Sequence, residues 1–180
     1  MHIQKALVLG MARSGAAAAR LLLARGCEVT ICDVKTREQF QGALDDLDVP
    51  GVRWHLGEKD PLPLHKGMDA LILSPGIPDT HPAVVRAREL GVEVMGELEY
   101  AYRESTGTLL AVTGTNGKTT TSTLLGEIFK NAGRRTWVVG NIGAPYAQAA
   151  LKMRAGDVTV CEVSSFQLET VSQFHPAVAA

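Results

Sequence analysis

The chain has 180 residues, 46% of them apolar and 21% charged, an ordinary globular composition with room for one large domain or two small ones. Eighteen Lys and Arg against nineteen Asp and Glu leave a net charge of −1, so no basic excess exists to draw the chain onto nucleic acid or an anionic membrane, and neither is expected as a partner. No apolar run approaches the roughly 18 residues of a membrane span, and Cys27, Cys32 and Cys161 match no zinc or redox spacing, reading instead as small buried hydrophobes of a reducing cytoplasm.

Short apolar runs alternate with helix-like runs, the pattern of βαβ units and a mostly parallel sheet. Lys5 to Leu9 reads as a strand ending in Gly10, and the Ala- and Leu-rich run Ser14 to Ala24 as a helix closed by Gly26. Glu28 to Cys32 is a second strand, ending at Asp33, and Ala70 to Leu73 another, followed at once by Ser74-Pro75-Gly76. His81 to Leu90 reads as a helix with Pro82 in its first turn, and Val92 to Met95 as a short strand. A second series follows: a linking helix Glu97 to Glu104, a strand Leu109 to Thr113, a helix Thr119 to Asn131, a strand Thr136 to Val139, and a strand Asp157 to Cys161 ending in Glu162. This places a domain boundary near Gly96, with one unit over 1–96 and a second over 97–180. The last residues, Pro176 to Ala180, read as a strand just beginning, so the second unit is expected to be the front portion of a larger domain.

The most informative stretch is Gly114-Thr115-Asn116-Gly117-Lys118-Thr119-Thr120, set between a strand and a helix. Its glycines permit backbone angles that a Cβ forbids, so that N–H groups can face an anion at the positive end of the new helix. Lys118 adds a point charge for ATP phosphates, making it the candidate catalytic residue, and the Thr119 hydroxyl can reach a magnesium ion. The run is shorter than G-x-x-x-x-G-K-[ST], whose first glycine would fall at Val112. Mg²⁺ prefers one or two carboxylates beside phosphate oxygens, and Glu162, delivered at the end of an apolar strand, is the candidate ligand; the alternative is a surface or capping glutamate. In the first unit, Gly10 to Gly15 has Ala12 where a dinucleotide fingerprint needs glycine. That turn, with Asp33, is open to three readings: an NAD site, a structural turn, or a site for another nucleotide.

GTNGKTTT at Gly114–Thr121, GNIG at Gly140–Gly143 and SSFQLE at Ser164–Glu169, with SPGI at Ser74–Ile77, together resemble the Mur ligase family, the SSFQLE run its D-glutamate-adding members in particular. The resemblance implies a Rossmann-like N-terminal domain followed by an incomplete P-loop ATPase-type central domain, both α/β. It also implies ATP-dependent ligation of D-glutamate to UDP-N-acetylmuramoyl-L-alanine through an acyl phosphate, a step of peptidoglycan precursor synthesis. ATP and Mg²⁺ are the implied cofactors. Thr119 and Glu162 would hold magnesium, Asn141 would contact the substrate, and Arg13, Ser14, Gly15, Asp33, Val34, Lys35, Ser74, Pro75 and Gly76 would line the uridine diphosphate site. Val34-Lys35 stands where the family often has Thr-Arg, which removes a bidentate guanidinium. The second cation site and the D-glutamate site fall beyond residue 180 in the family pattern, so these 180 residues are expected not to ligate by themselves. Folylpolyglutamate synthases share the phosphate loop, but the separate front domain and SSFQLE argue against them. An NAD-dependent oxidoreductase would leave the GKT loop unexplained.

Overall fold

The computed structural model describes residues 3–57 and 67–180. These fall into two compact units, residues 1–97 and 98–180.

The first unit is built on five strands: β1 (Lys5–Leu9), β2 (Glu28–Asp33), β3 (Val52–Leu56), β4 (Ala70–Leu73) and β5 (Glu93–Gly96), in the order β3-β2-β1-β4-β5 and all parallel. Helices α1 (Arg13–Ala24) and α2 (Pro82–Glu89) belong to the same unit. Such a sheet is buried on both faces, which is why β1 and β4 are near-continuous apolar runs. Leu7, Leu9, Leu71 and Leu73 pack with Ala83, Val84 and Ala87 of α2 into one cluster. The alanines 16–19 of α1 are buried with Leu21 and Leu22. The edge strand β3 was not expected from the sequence: Val52-Arg53-Trp54-His55-Leu56 mixes polar and apolar residues because it is only partly covered. Strand β5 starts one residue later than expected, since the Val92 N–H closes the end of α2 on the Ala87 carbonyl (2.9 Å).

The second unit contains α3 (Glu97–Glu104) from its second residue on, then β6 (Thr108–Val112), α4 (Lys118–Asn131), β7 (Thr136–Gly140), α5 (Tyr146–Ala150), β8 (Val158–Glu162), α6 (Ser165–Leu168) and β9 (Val178–Ala179). Its sheet has the order β7-β8-β6-β9 and is again parallel. Asp157, expected to open β8, instead closes the turn ahead of it. Its carboxylate accepts from Trp137 Nε1 (2.8 Å) and from the Arg154 backbone N–H (3.1 Å). Among the described residues, no helix is long and apolar enough to cross a membrane.

A buried carboxylate ties α3 to a distant loop of its own unit. The Glu99 side chain has no exposed surface. It accepts from the backbone N–H groups of Ser172 (3.0 Å), Gln173 (2.9 Å) and Phe174 (3.0 Å), and from Arg103 Nε (2.7 Å). Three successive N–H groups aimed at one anion form a nest. Tyr102 adds an edge-to-face contact with Phe174, ring centroids 5.4 Å apart.

Candidate functional site

Each sheet collects its candidate residues at the carboxyl ends of its strands, where ligands of open parallel sheets bind. In the first unit the strand order reverses between β1 and β4, so the turn after Gly10 and the turn at Ser74 stand side by side. Gly10 N–H donates to the Cys32 carbonyl (2.8 Å), Ser74 N–H to Leu9 (3.0 Å), and the Ser74 hydroxyl to the Gly10 carbonyl (2.7 Å). Arg13, Ser14 and Gly15 form the first turn of α1, whose N-cap, Ala12, offers no side-chain cap and whose first turn holds no acid. A helix N-terminus of this kind, with its dipole, suits an anion. Asp33 does not project a free carboxylate: one oxygen accepts from Met11 N–H (2.5 Å) and the other from Lys35 N–H (2.9 Å). It joins the turn after β1 to the turn after β2, where Val34 and Lys35 are exposed, as are Pro75 and Gly76 after β4.

Gly15 is where this arrangement tolerates least. A Cβ there would lie 1.8 Å from the Gly10 carbonyl oxygen and 2.6 Å from the Ser74 hydroxyl. Overpacking typically costs about 1–3 kcal/mol; since the obstructing atom is backbone, Gly15→Ala is expected at the upper end. For a unit of this size that lowers the unfolding midpoint by roughly 12–24 °C. Gly26, with nothing within 4 Å of an added Cβ, is the control: its alanine variant should cost only about 1 kcal/mol of left-handed backbone strain. Equal midpoints for the two variants, measured by thermal unfolding, would count against the close approach.

In the second unit the phosphate-loop residues and Glu162 meet. The loop runs from Thr113, with Gly114 and Gly117 at φ +130° and +80°, into α4, whose N-cap is Gly117 and whose first turn carries no acid. Thr115, Asn116, Thr119 and Thr120 are exposed. Lys118 Nζ donates to the Gly114 carbonyl (2.7 Å), and 3.4 Å separates it from that of Thr115, so its ammonium lies over the loop. Glu162 ends β8 between β6 and β7, in register with Val112 and Gly140. It is only 1% exposed. Its Oε2 accepts from the Thr119 hydroxyl (2.8 Å) and its Oε1 from Asn141 Nδ2 (2.9 Å). Among the described residues no group of three or more His, Cys, Asp or Glu could hold a metal. One buried carboxylate beside a hydroxyl at the mouth of an anion-binding loop is nonetheless a donor set that fits magnesium, which takes its other oxygens from phosphate and water.

Two features of this unit escaped the sequence reading. The SSFQLE run folds as a capping box on α6, in which the Ser164 hydroxyl accepts from Gln167 N–H (3.3 Å) and Gln167 Oε1 accepts from Ser164 N–H (2.9 Å). Serine followed three residues later by glutamine was the available signal. The second is Gly140, at φ +100°, where a Cβ would meet the Glu162 carbonyl oxygen at 2.2 Å.

Residues 4–96 match the family model of the Mur ligase MurD-like N-terminal domain, and residues 112–180 that of the Mur ligase middle domain. A UDP-N-acetylmuramoylalanine–D-glutamate ligase of Alkaliphilus metalliredigens is 42% identical over 176 residues, 97% of this chain and 39% of that protein. Its counterpart in Pelotomaculum thermopropionicum is 46% identical over 175 residues, 97% of this chain and 38% of that protein. The chain thus spans about two fifths of the length of the curated relatives it matches. Among solved structures, the UDP-N-acetylmuramate:L-alanyl-gamma-D-glutamyl-meso-diaminopimelate ligase of Neisseria meningitides shares the fold at a TM-score of 0.57 and 18% identity, covering 98% of this chain and 59% of that one. With a MurD-like N-terminal domain filling its first half and a Mur ligase middle domain following, the chain belongs to the Mur ligase family.

Proposed function

We propose that the enzyme carrying these two units joins D-glutamate to UDP-N-acetylmuramoyl-L-alanine with cleavage of ATP, in the cytoplasm. Relatives 42% and 46% identical are named UDP-N-acetylmuramoylalanine–D-glutamate ligases. The observation that carries the reading is the Thr119–Glu162 hydrogen bond, which joins the phosphate loop to a buried carboxylate at the sheet's carboxyl edge. In this reading residues 1–96 hold the UDP portion, and residues 97–180 supply the ATP-binding part of the central domain. Gly114 to Thr120 enclose the phosphates, Lys118 and the N-terminus of α4 stabilise charge on the transferring γ-phosphoryl group, and Thr119 and Glu162 hold magnesium. Magnesium, when bound, neutralises phosphoryl oxygens as a Lewis acid. The γ-phosphoryl group passes to the alanyl carboxylate, and the amine of D-glutamate then displaces phosphate, leaving an amide.

On the front unit, Arg13, Ser14 and Gly15 present the open end of α1 to the diphosphate, with Asp33, Val34, Lys35 and the Ser74-Pro75-Gly76 turn around the uridine. Calorimetric titration of the chain with UDP-N-acetylmuramoyl-L-alanine, with NAD as the control, tests this. Heat from the UDP-sugar and none from NAD is the expected result. Binding of NAD alone, or of neither ligand, would refute the uridine diphosphate site.

A further inference from the structure

We infer that Asn141 is a positioning residue for the cation-binding carboxylate, holding Glu162 in place before any substrate arrives. The inference rests on the reading of Glu162 as a magnesium ligand. Asn141 grips Glu162 at two points. Its backbone N–H donates to the Glu162 carbonyl (2.8 Å), and its side-chain amide donates to Oε1 (2.9 Å). The turn that makes this possible depends on Gly140, which lies against Glu162 in the β7–β8 register and has no room for a Cβ. The amide orientation is fixed by chemistry, because a carboxylate only accepts and the nitrogen must face it.

An amide suits this position physically. Glu162 is buried, so a carboxylate left without donors could not recover them from water. A lysine or arginine would satisfy it, but by neutralising the charge that a cation needs. Asparagine anchors Oε1 without cancelling the charge, while Oε2 faces the Thr119 hydroxyl and the loop. The carboxylate retains lone pairs beyond these two bonds. Asn141 itself is exposed. Groups that orient a metal ligand typically govern metal affinity by about 10–100-fold.

The test is binding of Mn²⁺–ATP to this chain, read from the enhancement of water proton relaxation that Mn²⁺ shows on the protein and not in the binary Mn²⁺–ATP complex. ATP binding without metal and thermal unfolding are measured in parallel. Asn141→Ala keeps the backbone bond and removes only the amide. The expected result is Mn²⁺ affinity weakened about 10–100-fold, with metal-free ATP affinity unchanged and the unfolding midpoint lowered by the loss of one hydrogen bond to a buried carboxylate. Glu162→Gln should abolish the Mn²⁺ site. Wild-type Mn²⁺ affinity in Asn141→Ala would overturn the inference while leaving the site intact. Equal losses of ATP affinity with and without metal would also overturn it, by making Asn141 a scaffold residue only. If the wild type takes up no Mn²⁺ with ATP, or Glu162→Gln binds it as well as the wild type, the magnesium reading of Glu162 fails and the inference falls with it.

Discussion

Lys118→Ala is expected to slow ATP-dependent ligation by a factor on the order of 10²–10³, about 3–4 kcal/mol of transition-state stabilisation, the loss seen when one preorganised charge stabiliser is removed. The measurement belongs in a chain with the full length of the relatives, with kcat and KM for ATP determined separately. The ammonium already lies over the loop, bonded to the Gly114 carbonyl, so little reorganisation separates its resting position from a phosphate. A group that serves the transferring phosphoryl more than bound ATP should lower kcat more than it raises KM. Near-normal turnover would remove Lys118 from the chemistry.

Glu99→Ala should loosen the second unit by about 1–3 kcal/mol, because it removes the one buried acceptor that the Ser172, Gln173 and Phe174 N–H groups share with Arg103. That is a large share of the stability of a small domain. A pH dependence follows from the same carboxylate. Burial pushes the Glu99 carboxyl up, but the Ser172 N–H, the Arg103 guanidinium and the Gln173 N–H outweigh it and hold the group below the ordinary carboxylate range. The folded form therefore prefers the charged state more than the unfolded form does. Its contribution is fully present above the unfolded value of about 4.3 and is lost as pH falls through the folded value. Glu99→Gln should accordingly be less stable at neutral pH yet lose less stability between about pH 5 and pH 3. Unfolding by urea at several pH values reads this directly, and parallel pH profiles for variant and wild type would contradict it.

How much of this was legible in the sequence depends on the range of the interaction. Strands β1 and β4 stood out because both faces are buried and their runs are unbroken. Strand β3 did not, since an edge strand needs apolar residues on only part of its surface. Helices α5 and α6, five and four residues long, are too short to show a period. In the candidate site, the loop, Asn141 and Glu162 could each be found at the end of a strand. That Asn141 would hold Glu162 could not be seen, because their meeting depends on the pairing of Gly140 with Glu162, a register no local pattern encodes. Glu99 was read only as part of a linking helix. Its principal partners are main-chain N–H groups, which every residue carries and which therefore leave no compositional trace.

The Glu99 nest also bears on how the chain is made. Its hydrogen bonds span sequence separations of 73 to 75 residues. During synthesis, which delivers domains from the N-terminus onward, β5 completes the first sheet as soon as Gly96 has left the ribosome. The clasp on α3 must wait until Phe174 has emerged, and its loop-closure cost falls due before any of its bonds can form. The front unit can thus be finished on the nascent chain while the helix leading out of it still lacks its partner.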